Sequence, residues 1–160
     1  MPYTNLGVPA SIVSLANVNT TAVGNVGAGE DDLITYSLPA NTLSANGKGI
    51  VIRVWGTTAN NINAKTLKLY LGSAVLLSFA LVASIAGTWV IDATVVRSGS
   101  NTQEAVAHLV SVGVAGVAVT AVTVSSPTQT DTSAVVVKCT GTATSDNDII
   151  QKGATVFFLG

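Results

Sequence analysis

Leu67, Leu69 and Leu71 alternate with Thr66, Lys68 and Tyr70, the period of two that sends successive side chains to opposite faces of a half-buried β-strand. The same rule predicts a strand over Thr88 to Arg97, with Trp89, Ile91, Ala93 and Val95 on one face and Asp92 and Thr94 on the other. Between KTLKLYL and AVLLSFAL stands Gly72-Ser73, a two-residue Gly-X link that reads as a hairpin turn. Further β-type runs are predicted at Leu33 to Leu38, Gly49 to Thr57, Gln103 to Val112, Val117 to Val124, Ser133 to Thr142 and Ala154 to Leu159, with a short one at Ala10 to Leu15. Turn signals divide them: Pro39, Asn46-Gly47, Ala59 to Asn63, Ser98 to Asn101, Gly113 to Gly116, Pro127 and Ser145 to Asp148. About ten strands result. No window holds a period of 3.6, and Lys, Glu, Arg and Met are scarce, so little helix is expected.

Regularly spaced antiparallel strands, several apolar on both faces, predict an all-β fold of two packed sheets, an antiparallel β-sandwich of jelly-roll type. Val117 to Val124 and Val135 to Val137 read as central strands that contact a second sheet or a neighbouring subunit. No charged residue precedes Glu30, and GNVGAG at Gly24 to Gly29 reads as a flexible hinge. The chain thus divides into an extended N-terminal arm, 1–28, and a sandwich domain, 29–160. Disorder normally accompanies low hydrophobicity and high charge, yet the arm carries Tyr3, Leu6, Val8, Ile12, Val13 and Leu15. These are its candidate contacts to a partner surface or a neighbouring copy, on which the arm is expected to order.

Length changes the picture little, since 160 residues suit one domain. Charge changes it more. Only 9% of the chain is charged and 48% is hydrophobic, against roughly a quarter charged in ordinary globular proteins. So dry an exterior predicts that much of it meets other subunits. Lys48, Arg53, Lys65, Lys68, Arg97, Lys138 and Lys152 are scattered and nearly balanced by eight acids. Phosphate binding needs clustered cations, so no direct nucleic-acid partner is expected. The start lacks the basic, then apolar, run of a secretory signal, which predicts synthesis in the cytoplasm. Ala105 to Val124 is uncharged apart from His108, but it is valine-rich, interrupted by Gly113 and Gly116, and lacks flanking anchors. Strands are expected there rather than a membrane span.

Candidate chemistry is sparse. One His and one Cys supply no transition-metal set and no disulfide. Glu30-Asp31-Asp32 and Asp146-Asn147-Asp148 do not match a calcium loop and read as solvated turns. His108 has no G-x-S-x-G partner and reads as a packed or interface histidine, and Cys139 as a small buried hydrophobe. Eight acids without a motif give no glycosidase pair. Trp55 and Trp89 could stack on a sugar but read as core aromatics. Neither a catalytic residue, a cofactor nor a metal is expected, and the chain reads as no enzyme.

SLPANTLSANGKGIVIRVWGTTANNINAKTLKLYLG (Ser37 to Gly72), GTWVIDATVVRSGSNTQEAVAHL (Gly87 to Leu109) and the closing DNDIIQKGATVFFL resemble a module of bacteriophage virion proteins, the capsid decoration or cement proteins and tail-fibre-like proteins. The resemblance implies a jelly-roll-like β domain, a homotrimer without enzymatic activity, lying on the virion surface against the major capsid protein. The other class it admits is a fibre or head-spike domain whose loops, such as Ala59 to Asn63, bind a host-surface glycan.

Overall fold

The computed structural model describes residues 13–81, 86–113, 116 and 118–160. They form eleven strands: β1 (Val13–Asn19), β2 (Val23–Gly24), β3 (Gly29–Leu38), β4 (Gly49–Thr58), β5 (Lys65–Leu71), β6 (Ala74–Leu81), β7 (Gly87–Gly99), β8 (Thr102–Gly113), β9 (Ala118–Ser125), β10 (Val135–Ala143) and β11 (Ile149–Leu159). Among the described residues there is no helix. Two antiparallel sheets pack into a β-sandwich. The larger runs β1-β11-β4-β7-β8-β9, with β2 also on β11, and the smaller runs β3-β10-β5-β6.

The alternation in the sequence decides which residues fill the space between the sheets. Leu67, Leu69 and Leu71 of β5 are fully buried there, opposite Ile50, Ile52 and Val54 of β4 and Trp89, Ile91 and Val95 of β7. The Gly72-Ser73 turn joins Leu71 to its partner Ala74, and Gly72 takes φ +57°, a conformation that costs glycine nothing. The β7–β8 hairpin turns at Ser100-Asn101, with Asn101 at φ +52°; Asn is among the few side chains that tolerate this region.

The segment expected as an arm is described from Val13, and from there it belongs to the large sheet. β1 pairs with β11 from Val13↔Leu159 to Asn19↔Ala154, and β2 pairs with Ile150 and Gln151. The expected hinge is tied down as well: Gly24 lies in β2, and Asn25 is wholly buried. Its Nδ2 donates to the carbonyls of Gly27 and Ser145, and its Oδ1 accepts from the Ile149 amide. Removing this amide strands buried backbone groups, so Asn25→Ala should destabilise the sandwich by about 1–3 kcal/mol. Denaturant unfolding measures this; an unchanged midpoint would mean that the segment peels away without disturbing the domain.

One strand departs from the sequence reading. Val117 to Val124 was expected as a central strand, but β9 is an edge, paired only with β8, and Val122 and Val124 are 66% and 75% exposed. A doubly apolar pattern fits a covered edge as readily as a centre. Val135 and Val137, in contrast, are buried in β10 between β3 and β5.

Candidate functional site

The outward faces of the two sheets differ in kind. On the small sheet, charges pair with one another: Lys68 Nζ lies 2.6 Å from Glu30 Oε2, Lys138 Nζ lies 3.1 Å from Asp32 Oδ1, and Tyr70 and Thr140 donate to Glu30. The Lys68 hydrogen bond first, then that of Tyr70, holds the Glu30 pKa down to about 2 against the opposing effect of burial. Glu30 to Asp32 are thus part of β3 and its partners, not a solvated turn.

On the large sheet the registers line up apolar rows. One runs across six strands, Leu15–Phe157–Val51–Thr94–Val106–Val124. Another continues Trp55–Val90–Val110–Thr120. Between them lies the face's polar row, Thr155–Arg53–Asp92–His108–Val122, in which Arg53 Nε meets Asp92 Oδ1 at 2.5 Å. His108 therefore stands half-buried on this outer face, beside Asp92. Val13, Leu15, Val106, Val112, Val122 and Val124 are all more than a third exposed. A contiguous apolar face of this kind, rather than scattered exposed valines, marks a surface that meets something.

A groove of about 320 Å³ opens on this face among Trp55, Val90, Val110, Val112 and Lys152. It exists because Trp55 faces Gly153 across the β4–β11 pair, where a Cβ would lie 2.2 Å from the indole. Trp55 is therefore not the core aromatic that its strand position suggested. Trp89 is one, at 2% exposed, so the two tryptophans form no joint sugar platform.

A second polar centre lies at one end of the sandwich and is structural. Asp148, expected in a solvated turn, is 1% exposed and accepts from Asn61 Nδ2, Asn63 Nδ2 and the Ser145 amide. Lys65, also 1% exposed, donates to Asn61 Oδ1 and to the carbonyls of Asn61 and Asn63. Burial works to raise the Asp148 pKa, but the hydrogen bonds from Asn61, Asn63 and Ser145 and the charge of Lys65 outweigh it and hold the carboxyl below its ordinary value. Asn61 and Asn63 thus hold the carboxylate on one side and the ammonium on the other.

Among the described residues no three His, Cys, Asp or Glu side chains gather so as to hold a metal ion, and no helix is long and apolar enough to cross a membrane. Cys139 is fully buried, and burial pushes its thiol up to about 12, which leaves it without thiolate character at neutral pH. Of the candidate contact residues, Val13 and Leu15 lie on β1 at 57% and 56% exposure, on the apolar face; Tyr3, Leu6, Val8 and Ile12 lie outside the described residues. The groove at Trp55 and the valines of β9 escaped the sequence reading. Their signal was the doubly apolar pattern, whose outward half had no assigned cover. No protein-family model matches the chain, and no curated protein matches it.

Proposed function

We propose that this chain is a non-enzymatic structural protein of a bacteriophage virion, a homotrimeric decoration or cement protein that lies on the head and bridges neighbouring major capsid proteins. The observation that carries the reading is the asymmetry of the sandwich. One outer face carries its own ion pairs, and the other is a largely apolar six-strand surface whose charges are the Arg53–Asp92 row and, at its margins, Glu104 and Lys152. A monomer exposing such a face forgoes roughly 25 cal/mol for each Å² left in water, and self-association recovers it. The words LPANTLSANG and WGTTANN supply the phage likeness. The strand order supports the jelly roll: setting aside β8, β9 and the two-residue β2, four strands remain in each sheet, β1-β11-β4-β7 and β3-β10-β5-β6, the eight-strand plan of that fold.

The glycan-binding alternative keeps one supporting feature, the half-buried Trp55 on an open groove. The loop at Ala59 to Asn63 favours it less, because Asn61 and Asn63 are spent on Asp148 and Lys65 and the residue presented outward is Ile62, 84% exposed. Quantifying the chain in purified particles tests the choice. A cement protein should approach the copy number of the major capsid protein; a few copies per particle would favour the fibre or spike and contradict the cement reading.

A further inference from the structure

The two sheets have four edges, and three carry a feature that discourages pairing with another chain. β1 is bulged between Leu15 and Asn17; β3 carries Glu30, Asp31 and Asp32 and a register shift opposite Cys139/Thr140; β6 is bulged at its pairing with Leu69/Tyr70. Bulges and charges of this kind are how natural sheets protect their edges. β9 has neither. Its pairing with β8 runs without a shift from Ala105↔Ser125 to Val112↔Ala118, and Ala118–Ser125 contains no charge and no proline. Its Val122 and Val124 are also among the most exposed large apolar residues of the molecule.

The same face carries the concave counterpart, the apolar groove at Trp55, Val110 and Val112. Protrusion and groove differ and lie at different places on one sheet, so each copy offers one of each. Made once between each pair of copies, a contact between unlike patches is heterologous, and it closes into a ring when its rotation divides the circle. The charges at the margins agree with this. Glu104 stands on β8 beside Val124's partner Val106, Lys152 stands at the rim of the groove, and neither is in an ion pair among the described residues.

We infer that the β9 margin of one copy packs into the Trp55 groove of the next, Val122 and Val124 entering it and Glu104 approaching Lys152, so that three copies close a ring. The inference rests on the trimer reading above and assigns its contact. Val122→Lys and Val112→Lys test it, since both positions are solvent-exposed and each variant spoils one half of the contact. Sedimentation of the wild type should give a trimer, and each folded variant alone should give monomers. An equimolar mixture should give heterodimers, because the Val112→Lys chain supplies an intact margin and the Val122→Lys chain an intact groove. A trimeric Val112→Lys protein would remove the groove from the contact, and a trimeric Val122→Lys protein would remove the margin; either overturns the inference while leaving the trimer standing. A monomeric wild type would instead overturn the trimer reading itself. If a lysine prevents folding, the charge exchange decides: Glu104→Lys or Lys152→Glu alone should weaken the trimer, the double variant should restore it, and no rescue would count against the contact.

Discussion

Trp89→Ala should destabilise the sandwich by about 3–5 kcal/mol, the range for truncating a large buried aromatic to alanine. The indole is 2% exposed, between the sheets, and its Nε1 donates to the Thr57 carbonyl at 3.2 Å. It lies over Gly56, its partner on β4, where a Cβ would come within 2.6 Å of the ring. A backbone fitted so closely to one side chain cannot collapse into the space that alanine leaves, and residual cavity volume sets the upper part of the range. Equilibrium unfolding in denaturant measures the loss. A midpoint unchanged from wild type would place the ring outside the core.

Asp148→Ala should cost a similar amount, about 3–5 kcal/mol, because it empties a buried acceptor site and removes a negative charge that acts on the buried Lys65 ammonium through Asn61. It also strands the amide donors of Asn61 and Asn63 and the Ser145 N–H. The same centre sets part of the acid response. A carboxyl whose pKa is lower folded than unfolded adds stability that is complete above the unfolded value and is lost as pH falls through the folded one. Asp148 and Glu30 are both lowered, Glu30 from 4.5 to about 2. Stability should therefore decline as pH falls from about 4.5 toward about 2, and Asp148→Ala should flatten that decline. Thermal midpoints across this range decide it. A variant with wild-type stability at neutral pH, or with an acid limb as steep as wild type, would contradict the assigned role.

The fold was legible wherever one face of a strand is dry and the other wet. β5 shows the clean alternation Leu67, Leu69, Leu71 and lies at the bounds its pattern predicts, as does its Gly72-Ser73 turn. Legibility failed where both faces are apolar, because periodicity then records burial without saying by what. β9 was read as central when it is an edge, and Trp55 was read as core when it faces outward over Gly153. Polar clusters failed for another reason. Asn25, the Asn61–Asn63–Lys65 group and Asp148 come from three separate stretches of the chain, and each looks like ordinary turn chemistry until the sandwich brings them together. The apolar face needed both kinds of information: its valines are visible in the sequence, but only the registers put Leu15, Phe157, Val51, Val106 and Val124 in one row.

That face is the centre of the account, and the mass of the purified protein in solution tests it most directly. Light scattering at micromolar concentration should return three copies of the 16.1 kDa chain. A stable monomer under those conditions would show that the apolar face is tolerated in water, and the assembly reading would fall with it.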